Sequence, residues 1–169
     1  MGIIGHSGMG KTTLLEQRLI PALRKRGLVL SLIKHSHKDI DIDRPGKDSY
    51  RLREAGCHEV LLLGARRWAL VHELRDTPQP TLPDLLRCMH PCDLVLVEGF
   101  KDGDFPRIEV WRTALGLAPL ARQRNGIVAL ATDADRVHAA SQCPPGLPIL
   151  DLADGEHIAD WAWDHALPV

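Results

Sequence analysis

Residues 1–13 read Met1-Gly2-Ile3-Ile4-Gly5-His6-Ser7-Gly8-Met9-Gly10-Lys11-Thr12-Thr13, and this stretch decides the fold. Gly5 to Thr12 matches G-x-x-x-x-G-K-[ST] at every fixed position. A short apolar run, Met1 to Ile4, precedes the loop and a helical pattern follows it, which is the strand–loop–helix context the motif requires. Each residue type has a physical use. Glycines accept positive φ, so successive N–H groups can face one concave site. The helix that follows adds the positive end of its dipole at the same place. Lys11 brings a mobile cation to the β and γ phosphates, and Thr12 brings a hydroxyl to Mg²⁺. Gly5, His6, Ser7, Gly8, Met9, Gly10, Lys11, Thr12 and Thr13 are therefore the expected nucleotide-binding residues. The motif leaves open which nucleotide binds and what is done with it.

Outward from this loop, the pattern alternates strand and helix. Leu14, Leu15, Leu19, Ile20 and Leu23 recur near the helical period, so Lys11 to Arg26 reads as a helix, with Pro21 expected to kink or break it and Gly27 to end it. Leu28 to Ile33 is a nearly continuous apolar run, read as a strand buried on both faces. A polar loop follows, then a helix over Asp48 to Gly56. Glu59 to Leu63 and Trp68 to Glu73 flank Gly64-Ala65-Arg66-Arg67 and read as a hairpin. Leu82 to Met89 is expected to be a short helix. Asp93 to Val97, Arg107 to Trp111, Ile127 to Ala131 and Leu147 to Leu150 read as strands, Ala134 to Ala140 and Asp154 to Ala166 as helices. This alternation predicts an α/β domain of the P-loop NTPase type: a mostly parallel sheet with helices on both faces, plus an antiparallel hairpin. A length of 169 residues predicts a single nucleotide-binding domain over 1–169.

Composition narrows the partners. Lys plus Arg total 21 against 22 Asp plus Glu, and this balance argues against a whole-surface nucleic-acid binder while leaving room for a local basic patch. No apolar run reaches the ~18 residues of a membrane span, and the first residues offer no apolar stretch long enough for a signal peptide, so a cytoplasmic protein is expected. Cys57, Cys88, Cys92 and Cys143 lack the paired spacing of a zinc site and read as reduced thiols.

Three acidic positions follow predicted strands. Ligands in open α/β sheets sit at the carboxyl ends of strands, so Glu98, after Leu94-Val95-Leu96-Val97, is expected to face the loop and join Thr12 at the metal. Asp41 and Asp43 alternate with Ile40 and Ile42 and point to one side if extended, which makes them further metal candidates. Thr132-Asp133-Ala134-Asp135 stands where GTP-binding proteins of this fold carry N-K-x-D. The Asn and Lys are missing, but a carboxylate there suits guanine, which offers N1–H and N2–H₂ donors. Asp133 and Asp135 are therefore the expected base-side residues, the alternative for Asp133 being a cap on the next helix.

In combination these residues resemble the MobB family, the adapter proteins of molybdopterin guanine dinucleotide synthesis. The resemblance covers roughly residues 1–135. It rests on Gly5 to Leu15, on Lys34-His35-Ser36-His37, on Asp41-Ile42-Asp43-Arg44-Pro45-Gly46-Lys47-Asp48-Ser49, on Val97-Glu98-Gly99-Phe100-Lys101 and on Pro106-Arg107-Ile108-Glu109-Val110. It implies a dimeric GTP-binding protein with weak hydrolysis at most, working beside the guanylyltransferase MobA, which joins GMP to molybdopterin. It also implies bound Mg²⁺ at Thr12 and Glu98, an edge of the site at Asp41 to Asp43, and dimer strands from the Glu59 to Glu73 hairpin. Molybdopterin itself is left open as a ligand. Family members usually carry several residues before the first strand, whereas this chain starts at Met1. The alternative function is a P-loop small-molecule kinase using ATP or GTP, with Asp41 or Asp43 as base. A third reading is a non-catalytic module that holds the pterin phosphate.

Overall fold

The structure, a computed structural model, describes residues 1–36, 42 and 44–168. In chain order the elements are β1 (Gly2–Ile4), α1 (Lys11–Leu14), α2 (Ile20–Lys25), β2 (Leu30–Lys34), α3 (Asp48–Glu54), β3 (Glu59–Leu63), β4 (Trp68–His72), α4 (Leu82–Arg87), β5 (Leu94–Glu98), β6 (Arg107–Trp111), β7 (Ile127–Thr132), α5 (Arg136–Ser141), β8 (Ile149–Asp151) and α6 (Gly155–Asp164). They form two compact units, residues 1–35 with 85–169, and residues 36–84.

The larger unit is built on a six-stranded sheet of order β2-β5-β1-β6-β7-β8, parallel at every pairing. The short β1 lies at its centre, between β5 and β6, and every residue of these three strands is buried. That is why Leu94 to Val97 are all apolar, as parallel strands covered on both faces require, while Glu109 is a buried charged residue in the middle of β6. β2 departs from the expectation of a doubly buried strand. It is an edge strand paired only to β5; Ile33 alone is buried, and Leu32 is 38% exposed. A continuous apolar run gives hydrophobicity but not position in the sheet.

The first helix is continuous but not uniform. A π-helical turn, Leu15–Leu19, joins α1 to α2 immediately before Pro21. A proline lacks the N–H of the helical ladder and its ring presses on the carbonyl four residues back, and one widened turn accommodates this without breaking the helix. Leu15, Leu19, Ala22 and Leu23 stay buried across the junction. Arg26, just past α2, holds α6 through Glu156 at 3.2 Å and Asp160 at 2.7 Å. Asp154 caps α6 by accepting from His157 N–H at 3.0 Å.

The smaller unit holds α3 and the antiparallel hairpin β3–β4. Arg53 pairs with Glu73, and Glu59 meets His72 at 2.7 Å. The register sets Leu61 opposite Leu70 and Leu63 opposite Trp68, so these four share one face. All four are exposed, Leu63 at 81%. Val60, on the other face, is buried. Among the described residues, no helix is long and apolar enough to cross a membrane.

Candidate functional site

The loop Gly5–Gly10 leaves the carboxyl end of β1, where the neighbouring strand order diverges toward β5 on one side and β6 on the other. This is the crevice in which open α/β sheets take ligands. Gly5 has φ of 145°, and a Cβ built on it would lie 2.4 Å from Val110 O, so no other residue fits the exit from β1. Gly10, at φ 88°, begins α1. Ser7 and Gly8 are exposed at the crown, while the Met9 side chain is fully buried and anchors the loop from beneath. Thr12 and Thr13 are exposed on the first helical turn.

Lys11 folds back over the loop, donating to Gly5 O at 3.1 Å and His6 O at 3.0 Å. Burial holds its ammonium below the usual lysine value. The charge of Glu98 opposes that shift, and the like charges of Lys101 and Lys34 add to it. Glu98, the last residue of β5 and 7% exposed, stands where the strand-end argument puts it. One carboxylate oxygen accepts from the Thr12 hydroxyl at 3.1 Å and the other meets Lys34 Nζ at 3.2 Å. Among the described residues, the charges acting on Lys11 are thus one carboxylate, Glu98, and two cations, Lys101 and Lys34, a balance that an anion entering the loop would improve.

The base-side acids lie at the end of β7, and neither is idle. Asp135 is the cap of α5, accepting from His138 N–H at 2.9 Å, so the cap falls there rather than on Asp133. Asp133 pairs with Arg112. Thr132 turns its hydroxyl onto Ala134 N–H at 3.1 Å, holding the bend between strand and helix. Asp41 and Asp43 lie outside the described residues. Arg44 belongs to the smaller unit.

Sequence reasoning missed Arg112. It follows β6 directly, at the same strand end that singled out Glu98, so the same positional argument would have found it. Its guanidinium Nε donates to Met9 O at 3.2 Å. The turn after it, Thr113–Leu115, leans on the loop: Leu115 would sit 3.5 Å from a Cβ on Gly8, and Ala118 O is 3.3 Å from the His6 ring. Behind that turn lies Glu109, fully buried in the middle of β6, whose two oxygens accept from Leu120 N–H at 2.7 Å and Ala121 N–H at 2.9 Å. Burial pushes this carboxyl above the usual glutamate value, and the two hydrogen bonds pull against the shift.

The chain has counterparts among known proteins. The family model described as Molybdopterin guanine dinucleotide synthesis protein B matches residues 1–133. The chain is 42% identical over 159 residues to the molybdopterin-guanine dinucleotide biosynthesis adapter protein of Escherichia coli (strain K12), an alignment spanning 92% of this chain and 86% of that one. The protein of the same description from Haemophilus influenzae is 44% identical over 136 residues, 79% of this chain and 74% of that one. Among solved structures, Bacillus subtilis MobB superposes with a TM-score of 0.72 at 21% identity, covering 99% of this chain and 98% of that one. The MobB homolog of Bacillus stearothermophilus gives a TM-score of 0.67 at 23% identity, covering 96% and 94%. These two structures speak for the fold.

Proposed function

The chain belongs to the MobB family, the adapter proteins of molybdopterin guanine dinucleotide biosynthesis, and from that premise we propose that it serves there as a Mg²⁺-dependent GTP-binding protein, built on Gly5 to Thr13. The observation that carries this reading is the grouping of Lys11, Thr12 and Glu98 at the carboxyl end of β1 and β5. Backbone N–H groups of the loop and Lys11 would take the phosphates. Thr12 and Glu98 present two oxygen donors side by side, and Mg²⁺ prefers oxygen ligands while keeping several waters. The donor set therefore fits the ion, whose chemistry there is to neutralise phosphate charge. Asp41 and Asp43 are its further proposed ligands. Asp133 and Asp135 are the proposed readers of guanine, through carboxylates that match its N–H donors. Among the glutamines, none belongs to the loop or its flanking strand ends, which supports binding with slow hydrolysis over rapid turnover. No finding favours the small-molecule kinase reading.

The adapter role implies a MobA-like guanylyltransferase as partner, with molybdopterin open as a ligand of the joint assembly. We place the protein in the cytoplasm as a homodimer. The exposed apolar face of β3–β4 supports the dimer, because four large apolar side chains on one hairpin face are a surface to be covered.

Calorimetric titration with GTP, ATP and their diphosphates tests the site. GTP with Mg²⁺ is expected to bind more tightly than ATP, and Lys11→Ala to lose about tenfold to a hundredfold in affinity, the worth of charge-assisted phosphate bonds. Equal affinity for the two triphosphates rejects the guanine reading, and unchanged affinity in Lys11→Ala rejects the site. Glu98→Gln should weaken binding with Mg²⁺ more than without it. Capture of the guanylyltransferase, with and without GTP, tests the partnership.

A further inference from the structure

Arg112 touches both sides of the nucleotide site at once. Its side-chain Nε donates to Met9 O at 3.2 Å, and its backbone N–H meets the Met9 sulfur, also at 3.2 Å. Its Nη1 pairs with Asp133. The guanidinium passes so near the loop that a Cβ built on Gly10 would lie 3.3 Å from Nε. Met9 is fully buried, so the carbonyl that Arg112 holds belongs to a residue already fixed by packing.

The geometry has a consequence for the next peptide group. The Met9–Gly10 bond is trans, and a trans peptide points its N–H opposite to its C=O. Drawing Met9 O toward Arg112 turns Gly10 N–H the other way, opposite to the carbonyl that the guanidinium holds. Gly10, at φ 88°, has no side chain to hold this orientation by itself. Asp133, at the far end of the guanidinium, limits how Arg112 can swing.

We infer that Arg112 is a positioning residue that orients the Met9–Gly10 peptide for phosphate and couples that orientation to Asp133. This inference rests on the nucleotide-binding reading above. It gives Asp133 a second role beside base recognition, because its carboxylate steadies the phosphate loop through Arg112. Loss of Asp133 then weakens binding even of a ligand that has no base.

Inorganic tripolyphosphate is such a ligand, and calorimetry with it and with GTP, both with Mg²⁺, separates the possibilities. Arg112→Lys, which reaches Met9 O or Asp133 but not both, is expected to weaken tripolyphosphate about tenfold, and Asp133→Asn about threefold. The double variant should be no weaker than Arg112→Lys alone, because the two residues act as one unit. In the free protein the Gly10 amide resonance should move in both single variants. Circular dichroism confirms that each variant is folded. Unchanged tripolyphosphate affinity in Asp133→Asn, or losses that multiply in the double variant, overturns the coupling while leaving nucleotide binding intact. A wild-type protein that takes up neither GTP nor tripolyphosphate overturns the nucleotide reading, and this inference with it.

Discussion

A buried carboxylate in a strand is costly unless its oxygens are satisfied, and Glu109 satisfies both on the amides of Leu120 and Ala121. Its carboxyl is raised in the folded protein, so between the ordinary glutamate value and the raised one the native state binds more protons than the unfolded chain. Stability therefore falls as pH rises through that window, and Glu109 contributes most below it. Glu109→Gln sets an amide NH₂ against one backbone N–H, at a cost of about 1–3 kcal/mol. Denaturant titrations from pH 4 upward should find wild type ahead at acid pH and the gap narrowing as pH rises; a gap independent of pH refutes the assignment. Gly5 makes a sharper case, since a side chain there meets both a positive φ and Val110 O. Gly5→Ala should lose at least about 1–3 kcal/mol of stability by the same titration.

Among the elements, the hairpin invites the most direct test. Leu63→Glu places a charge on the exposed face of β3–β4, where Leu61, Trp68 and Leu70 lie beside it. If that face pairs two copies, sedimentation should find the variant shifted toward monomer by at least tenfold in dissociation constant, the scale of burying an unpaired charge. Identical mass distributions would place the dimer contact elsewhere. Both hairpin strands were legible from sequence because apolar runs flank a turn. The phosphate loop and Glu98 were legible because motif spacing and strand-end position are local properties. What escaped was non-local. The edge position of β2 depends on which strands come to lie beside β5 and β1, and nothing within Leu28 to Ile33 encodes it. For Arg112 the strand-end position was local and readable, but its contacts with Met9 and Asp133, distant in the chain on either side, were not. The cap on α5 went to Asp135 rather than Asp133, since the bend at Thr132 carries the chain two residues further before the helix starts.

For the whole molecule, nucleotide binding and stability are linked. GTP with Mg²⁺ at a hundred times its dissociation constant should add about 2.7 kcal/mol, which for a protein of this size raises the melting temperature by about 5–10 °C. Lys11→Ala should show little of that rise in a thermal scan; an equal rise would mean the nucleotide acts elsewhere. The central place of β1 has a consequence for how the protein comes into being. The strand that leads into the phosphate loop leaves the ribosome ahead of the strands it pairs with, β5 and β6, which begin only at Leu94 and Arg107. Until those residues have been synthesised, Ile3 and Ile4 have no sheet to enter and the glycine loop has no frame. The binding site is therefore completed only after β6 has been synthesised. The nascent chain holds this apolar strand unpaired until β5 has emerged, the interval in which a chaperone has most to protect.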